Sequence, residues 1–106
     1  MEAIFIKLEE LRAHPETYLK EKSLTLLKMF ISGYITKEWE VDKTSYTLFD
    51  GFDEFVRQKF EIKSTHGWLK ILLLHSSSEE DALNLFYHML DEYKLTVFPP
   101  KAQTKI

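Results

Sequence analysis

The stretch that decides the fold is Gly67–Tyr93, which reads GWLKILLLHSSSEEDALNLFYHMLDEY. In its first part only Lys70 interrupts the apolar surface of Trp68–Leu74, so we predict a helix over about residues 66–75 that is enclosed on most sides. A buried strand is the alternative for so short a run, but the leucine-rich composition and the lack of a second strand favour the helix. The second part, Glu79–Tyr93, is typical of an amphipathic helix whose buried stripe is Leu83, Phe86, Tyr87, Leu90 and Tyr93.

The serines between these two helices predict a helix cap rather than a catalytic group. Ser77 and Ser78 each stand three residues before an acidic residue, which is the spacing of a capping box. The acidic run Glu79–Asp81 also complements the positive end of the helix dipole. The same run would repel an anion, which argues against a phosphate site at this helix end.

Apolar residues at helical spacing also occur in the part of the chain that precedes these two helices. Residues 2–13 predict a first helix that ends before Pro15, because a residue that precedes proline is pushed out of the α region. A short helical turn over residues 16–21 follows. Ser23 is then a good N-cap for a second helix that runs to about Glu38.

Residues of the second and third helices predict a close helix contact, a helix cap and an ion pair. Gly33 lies inside the second helix, where glycine costs up to ~1 kcal/mol relative to alanine, so we expect a neighbouring helix packed close to it. Asp50 can cap a third helix, Gly51–Glu61. Asp53 and Arg57 have the spacing of an ion pair on the outer side of that helix.

These elements predict an all-α protein, namely a compact irregular bundle of about five helices with a central apolar fourth helix. A chain of 106 residues has the size of one domain, so residues 1–106 are expected to form a single α-helical domain. Residues 95–106, which include Pro99 and Pro100, are expected to form a loosely ordered tail.

Composition excludes several classes of site and partner. The chain has no cysteine, which excludes disulfides, thiolate chemistry and zinc sites with cysteine ligands. Its formal charge is −3 and its basic residues are scattered, so we expect no nucleic-acid partner. Apolar runs such as Ile71–Leu74 are far shorter than the ~20 residues that span a bilayer, and Met1 is not followed by the basic segment of a signal peptide. We therefore expect a cytoplasmic protein without a membrane partner.

His88 is the strongest candidate for a metal or proton-transfer site. It shares a polar stripe of the fifth helix with side chains that could bind a cation, namely Asp81, Asn84, Asp91 and Glu92. The same stripe is typical of a solvated helix face, and Leu85 stands where the Glu-x-x-His pattern of metal sites needs a glutamate. His75 stands at a helix end, where a histidine caps backbone carbonyls. We therefore predict neither an enzyme nor a bound metal or cofactor.

The segment between the second and third helices predicts a binding role. It combines aromatic rings with acidic side chains, a composition that suits an interface with a basic partner. The candidate partner-binding residues are Trp39, Glu40, Asp42, Tyr46 and Phe49. The alternative is that these rings fold back as a lid over the second and third helices, in which case they belong to the core.

A pattern of core and turn residues resembles a family of small, largely uncharacterised bacterial proteins. The pattern spans residues 15–93 and consists of Tyr18-Leu19, Ser23-Leu24, Leu27, Phe30, Gly33-Tyr34, Phe52, Phe55, Phe60, Trp68, Ile71, Ala82, Phe86 and Leu90. Members of that family are all-helical and similar to immunity proteins that lie beside secreted or contact-dependent toxins. The resemblance implies a protein that binds and blocks a cognate toxin, and it carries over no functional residue.

Two functions follow from these patterns. The first is a small cytoplasmic protein-binding module of the immunity type, with a basic toxin domain as its partner. The second is a structural or regulatory homo-oligomer, which would dimerise through surplus apolar surface on the fourth and fifth helices.

Overall fold

In a computed structural model of the chain, residues 3–41, 48–63 and 65–98 are described. Within these ranges there is no β-strand. The elements are α1 (Ala3–Ala13), α2 (Pro15–Tyr18), α3 (Leu24–Val41), a 3-10 helix (Leu48–Gly51), α4 (Phe52–Lys59), α5 (Trp68–Leu74) and α6 (Glu79–Val97). The predicted all-α bundle is confirmed, and so is the choice of a helix over a strand for Trp68–Leu74. None of the described helices combines the length and the apolar character that crossing a membrane requires.

The core is built around Phe52, a fully buried ring at the start of α4. Its centroid lies 5.6 Å from that of Trp68 on α5 and 5.4 Å from those of Phe86 and Tyr93 on α6. Aromatic pairs at such separations attract each other beyond the area that they bury. The rings therefore hold α4, α5 and α6 together, and α5 also contacts α3, which confirms its central position.

The apolar stripes of α5 and α6 face this core to different extents. Every residue of the stripe predicted for α6 is buried, and α6 also buries Ala82 and Met89. On α5, the buried residues are Trp68, Ile71 and Leu72, whereas Leu74 is 69% exposed. The last turn of α5 therefore reaches the surface, and its enclosure is less complete than the sequence predicts.

Serine caps lie where the sequence places them. Ser23 Oγ accepts a hydrogen bond from the backbone N–H of Leu26 at 3.2 Å, and Ser78 Oγ accepts one from Asp81 at 3.0 Å. Asp81 Oδ2 in turn accepts a bond from the backbone N–H of Ser77 at 3.2 Å. The bonds from Leu26 and Asp81 satisfy backbone donors that the first turn of a helix leaves without an intrahelical partner.

Glu79 binds the start of α3 as well as beginning α6. Its carboxylate accepts hydrogen bonds from Ser23 Oγ at 2.9 Å, from the backbone N–H of Thr25 at 2.9 Å and from the Thr25 hydroxyl at 2.7 Å. These bonds lower the pKa of Glu79, and the backbone bond from Thr25 is the largest cause. One side chain thus ties together the N-terminal ends of two helices.

Asp53 makes a cap where the sequence predicts an ion pair. Its Oδ1 accepts a hydrogen bond from the backbone N–H of Trp68 at 2.7 Å, so Asp53 caps α5. The predicted pair with Arg57 is wrong, because Arg57 instead lies 3.1 Å from Glu54 and donates to the His66 carbonyl at 3.0 Å. A helix cap contributes more than an exposed ion pair along a helix, which explains this outcome.

Two expectations about α3 and α4 are also wrong. A Cβ atom added to Gly33 would meet nothing within 4 Å, so none of the described helices packs close to this residue. The N-cap position of α4 is Gly51, without a side-chain cap, rather than Asp50. The reason is that Asp50 lies inside the 3-10 helix that leads into α4.

α4 ends at Lys59, earlier than the sequence predicts. The backbone N–H of Ile62 bonds to the carbonyl of Arg57 at 2.8 Å, and the N–H of Glu61 bonds to the carbonyl of Gln58 at 3.2 Å. This pair of bonds is a Schellman motif. Glu61 occupies its left-handed position with a φ of 54°, where glycine is the usual residue.

The first residues of the predicted tail belong to the helical bundle. α6 runs to Val97, and the ring of Phe98 lies 5.2 Å from that of Phe5 in an edge-to-face arrangement. Residues 99–106 lie outside the described residues.

Candidate partner-binding groove

The structure divides the predicted partner-binding residues between the surface and the core. Trp39 is 50% exposed near the C-terminal end of α3, and its neighbour Glu40 is exposed. Phe49 lies in the 3-10 helix, is 4% exposed and packs among the core rings. Asp42 and Tyr46 lie outside the described residues. Phe49 therefore belongs to the core, as the lid alternative predicts, whereas Trp39 is half exposed and its role as a contact residue stays a prediction.

The last turns of α3 form an exposed and mainly acidic surface. Residues 36–41 are all exposed. The large apolar side chains of this segment are Trp39 and Val41, and Val41 is 81% exposed. Glu38 and Glu40 flank the tryptophan, against a single lysine in the segment. Exposed aromatic and aliphatic groups beside acidic ones have the composition of a surface for a basic partner.

A groove of about 300 Å³ lies between α3 and the wall formed by the 3-10 helix, α4 and α5. Its buried members form an apolar floor, namely Ile31, Phe49 and Trp68. Its other lining residues are Lys28, Ser32, Ile35, Thr36, Asp50 and Asp53. Because four elements contribute to it, no local pattern in the sequence marks this groove.

The charged side chains around the groove are unevenly paired. Lys28 Nζ donates to Ser32 Oγ at 2.9 Å and lies 5.9 Å from the ring centroid of Trp68. Asp53 uses Oδ1 to cap α5, which leaves its second oxygen able to accept from another donor. Asp50 is exposed, and its carboxylate makes no hydrogen bond or ion pair within the described residues. Negative charge therefore collects on the wall opposite α3.

Trp39 continues the line of the groove along α3. Residues that are four or seven positions apart share one face of a helix. Ser32 and Ile35 line the groove, and Trp39 follows them at these two spacings. A partner that contacts the exposed indole of Trp39 would therefore lie one turn from the groove.

A larger groove, of about 640 Å³, lies between α1, α2 and α6, but its principal charges neutralise each other. Arg12 donates to both carboxylate oxygens of Asp91, at 3.0 and 2.9 Å, and to the Tyr87 carbonyl at 3.0 Å. Its guanidinium also lies 4.5 Å from the centroid of the Tyr87 ring. These contacts join α1 to α6, so the role of Arg12 is structural.

The histidines lie at exposed or capping positions. His88 is exposed, and its Nε2 lies 3.1 Å from a carboxylate oxygen of Glu92. His75 ends α5 with its Nδ1 2.9 Å from the Ile71 carbonyl and its ring 4.4 Å from that of Phe60, which confirms the predicted cap. In the described part of the chain, no three His, Cys, Asp or Glu side chains come together in a way that could hold a metal ion.

Comparison of the chain with protein families, with curated proteins and with solved structures finds no match.

Proposed function

We propose that this chain is a small cytoplasmic protein-binding module that engages a basic partner protein through the exposed end of α3. The observation that carries the proposal is the half-exposed Trp39, set between Glu38 and Glu40 at the end of a helix. Tryptophan is enriched among the residues that dominate binding energy at interfaces. The acidic neighbours favour encounter with a positively charged surface.

The partner we propose is a toxin whose active surface this chain covers, in keeping with the resemblance of residues 15–93 to immunity-type proteins. Covering a surface requires binding and no catalytic group. Three polar side chains of the α5–α6 region hold helix ends, namely His75, Ser78 and Glu79. We therefore propose a binding role rather than an enzymatic one.

Site-specific cross-linking in the native host tests the contact surface. A photoreactive amino acid at position 39 is expected to capture one partner, whereas the same group at Met29 is expected to capture none. Met29 is a matched control, because it is 66% exposed, apolar and on the same helix. Trp39→Ala is expected to weaken binding of the captured protein at least about tenfold. Equal capture at both positions, or unchanged affinity, would show that the surface is wrong.

A growth assay tests the immunity role separately. Cells that express the product of a gene adjacent to this one are compared with and without this chain. We expect the neighbour to arrest growth alone and this chain to restore it, with weaker rescue by Trp39→Ala. Growth that does not depend on this chain would exclude an immunity role for this pair.

The second candidate function is a homo-oligomer, and exposed leucines on α5 and α6 favour it. Leu74 is 69% exposed and Leu95 is 63% exposed. Light scattering at micromolar concentration separates the two functions. A monomer excludes the homo-oligomer, whereas a dimer that Leu74→Glu or Leu95→Glu dissociates would support it.

A further inference from the structure

We propose that the groove beside α3 receives an arginine side chain of the partner protein. This inference rests on the proposed function and adds the chemistry that the partner must present. The groove offers an apolar floor, a wall with free carboxylate oxygens and a rim at Thr36, which begins the exposed end of α3. Each of these features matches one part of an arginine side chain.

The floor suits the aliphatic stem of the side chain. Ile31 and Phe49 are buried at the bottom of the groove, and Ile35 is half-buried beside them. Long basic side chains bury their methylene groups along apolar surface while the charged head stays in contact with water or with an acid. A groove of about 300 Å³ holds one such chain. A whole helix would not fit in it.

The wall suits the guanidinium head. Asp50 has no partner within the described residues, and one oxygen of Asp53 is free while the other caps α5. Guanidinium donates several hydrogen bonds in one plane and so can engage two carboxylates, which an ammonium group does less well. The same carboxylates repel phosphate and other anions, so the groove selects a cation.

Lys28 is the cation among the described residues that line the groove, and it does not fill this role. Its Nζ donates to Ser32 on α3 at 2.9 Å and lies 5.9 Å from the ring centroid of Trp68, and it forms no ion pair with Asp50 or Asp53. Two carboxylates on the opposite wall therefore exceed the single positive charge. An arginine that enters between them would balance the charge of the groove.

A titration followed by NMR tests the groove without knowledge of the partner. The probe is N-acetyl-arginine methylamide, and the control probe is N-acetyl-citrulline methylamide, which has the same shape without the charge. The arginine probe is expected to shift the signals of Phe49, Asp50 and the Trp68 indole in a saturable way. The citrulline probe is expected to bind about threefold to tenfold more weakly.

Two variants locate the effect. Asp50→Asn is expected to reduce the affinity for the arginine probe towards that for citrulline, with the charge of Asp53 remaining, while Glu16→Gln is expected to leave it unchanged. Glu16 is a matched control, because its side chain is 75% exposed and lies on α2, outside this groove. Shifts that are equal for both probes, or that survive Asp50→Asn, would overturn the arginine pocket.

The outcome also separates this inference from the proposed function. If the titration fails while position 39 still captures a basic partner, the arginine pocket alone is wrong. If the titration succeeds while positions 39 and 29 capture equally, the proposed contact surface is wrong and the cation pocket stands.

Discussion

At the scale of single residues, two carboxylates hold helix ends that are distant in the sequence. Glu79 accepts the backbone N–H of Thr25, 54 residues away, and Asp53 accepts that of Trp68, 15 residues away. Local spacing could predict the caps made by Ser23 and Ser78, because each partner lies three residues on. It could not predict these two, because their partners meet only after the chain has folded.

The bonds to Glu79 make part of the stability depend on pH. Because they lower its pKa below the ordinary value of 4.5, the stabilisation is complete above that value and is lost as the pH falls through the lowered pKa. Glu79→Gln is therefore expected to reduce the free energy of unfolding by about 1–2 kcal/mol at neutral pH. The difference from the unmodified chain should shrink in acid, as measured by urea denaturation over a pH series.

Glu80→Gln is the control, and we expect a change below about 0.5 kcal/mol. A difference that stays constant with pH would contradict this account.

Glu61 stores a small amount of backbone strain that a substitution can release. Its φ of 54° suits glycine, because a Cβ atom crowds the backbone in the left-handed region. Glu61→Gly is expected to raise the free energy of unfolding by about 0.5–1 kcal/mol, and Glu61→Ala should give no gain. Thermal unfolding of both variants checks this, and equal effects would argue against strain as the cause.

At the scale of the helices, periodicity predicts the elements well and their surroundings less well. The buried stripe of α6 follows its sequence pattern, and the N-cap Ser23 marks the start of α3. The close helix contact predicted at Gly33 is wrong, because a Cβ atom there would meet nothing in the described structure. The cap predicted for Asp50 is wrong, because Asp50 is part of the 3-10 helix. What surrounds a residue depends on elements that periodicity does not place.

Two glycines with opposite surroundings test whether neighbouring elements decide the effect of an added side chain. Gly33→Ala is expected to stabilise the chain by about 0.5–1 kcal/mol, because alanine favours a helix and the added Cβ meets nothing. Gly51→Ala is expected to destabilise it by about 1–3 kcal/mol, because its Cβ would lie 2.6 Å from the Tyr93 hydroxyl. Tyr93 is 5% exposed and packed against Phe52 and Phe55, so it has little room to move. Denaturant titration gives both values, and the same sign for both would contradict the packing described.

At the scale of the whole molecule, the sequence could predict the kind of candidate site but not its shape. Aromatic and acidic composition marks the segment that contains Trp39 and Phe49, yet only the fold sends one ring outward and the other inward. The groove draws on α3, the 3-10 helix, α4 and α5, which supply Lys28, Asp50 and Trp68 from separate parts of the chain. No spacing rule connects such residues before the tertiary structure is known.

This division between surface and core predicts a contrast between two alanine variants. Trp39→Ala is expected to change the free energy of unfolding by less than about 1 kcal/mol, because the ring is half exposed. Phe49→Ala is expected to cost about 3–5 kcal/mol, since it removes a ring packed between those of Phe5, Phe52 and Trp68. Denaturation measured by circular dichroism gives both values. A large loss for Trp39→Ala would place that ring in the core and remove the proposed contact surface.

The unequal burial of the two tryptophans gives the molecule a pair of intrinsic fluorophores with separate uses. Trp68 is 4% exposed and Trp39 is 50% exposed, so an aqueous quencher such as acrylamide reaches the second indole far more readily. In Trp39→Phe the remaining emission comes from Trp68, so it reports unfolding of the aromatic core around Phe52. In Trp68→Phe the remaining emission comes from Trp39 at the end of α3, so binding of the proposed partner there would be observed without any added dye.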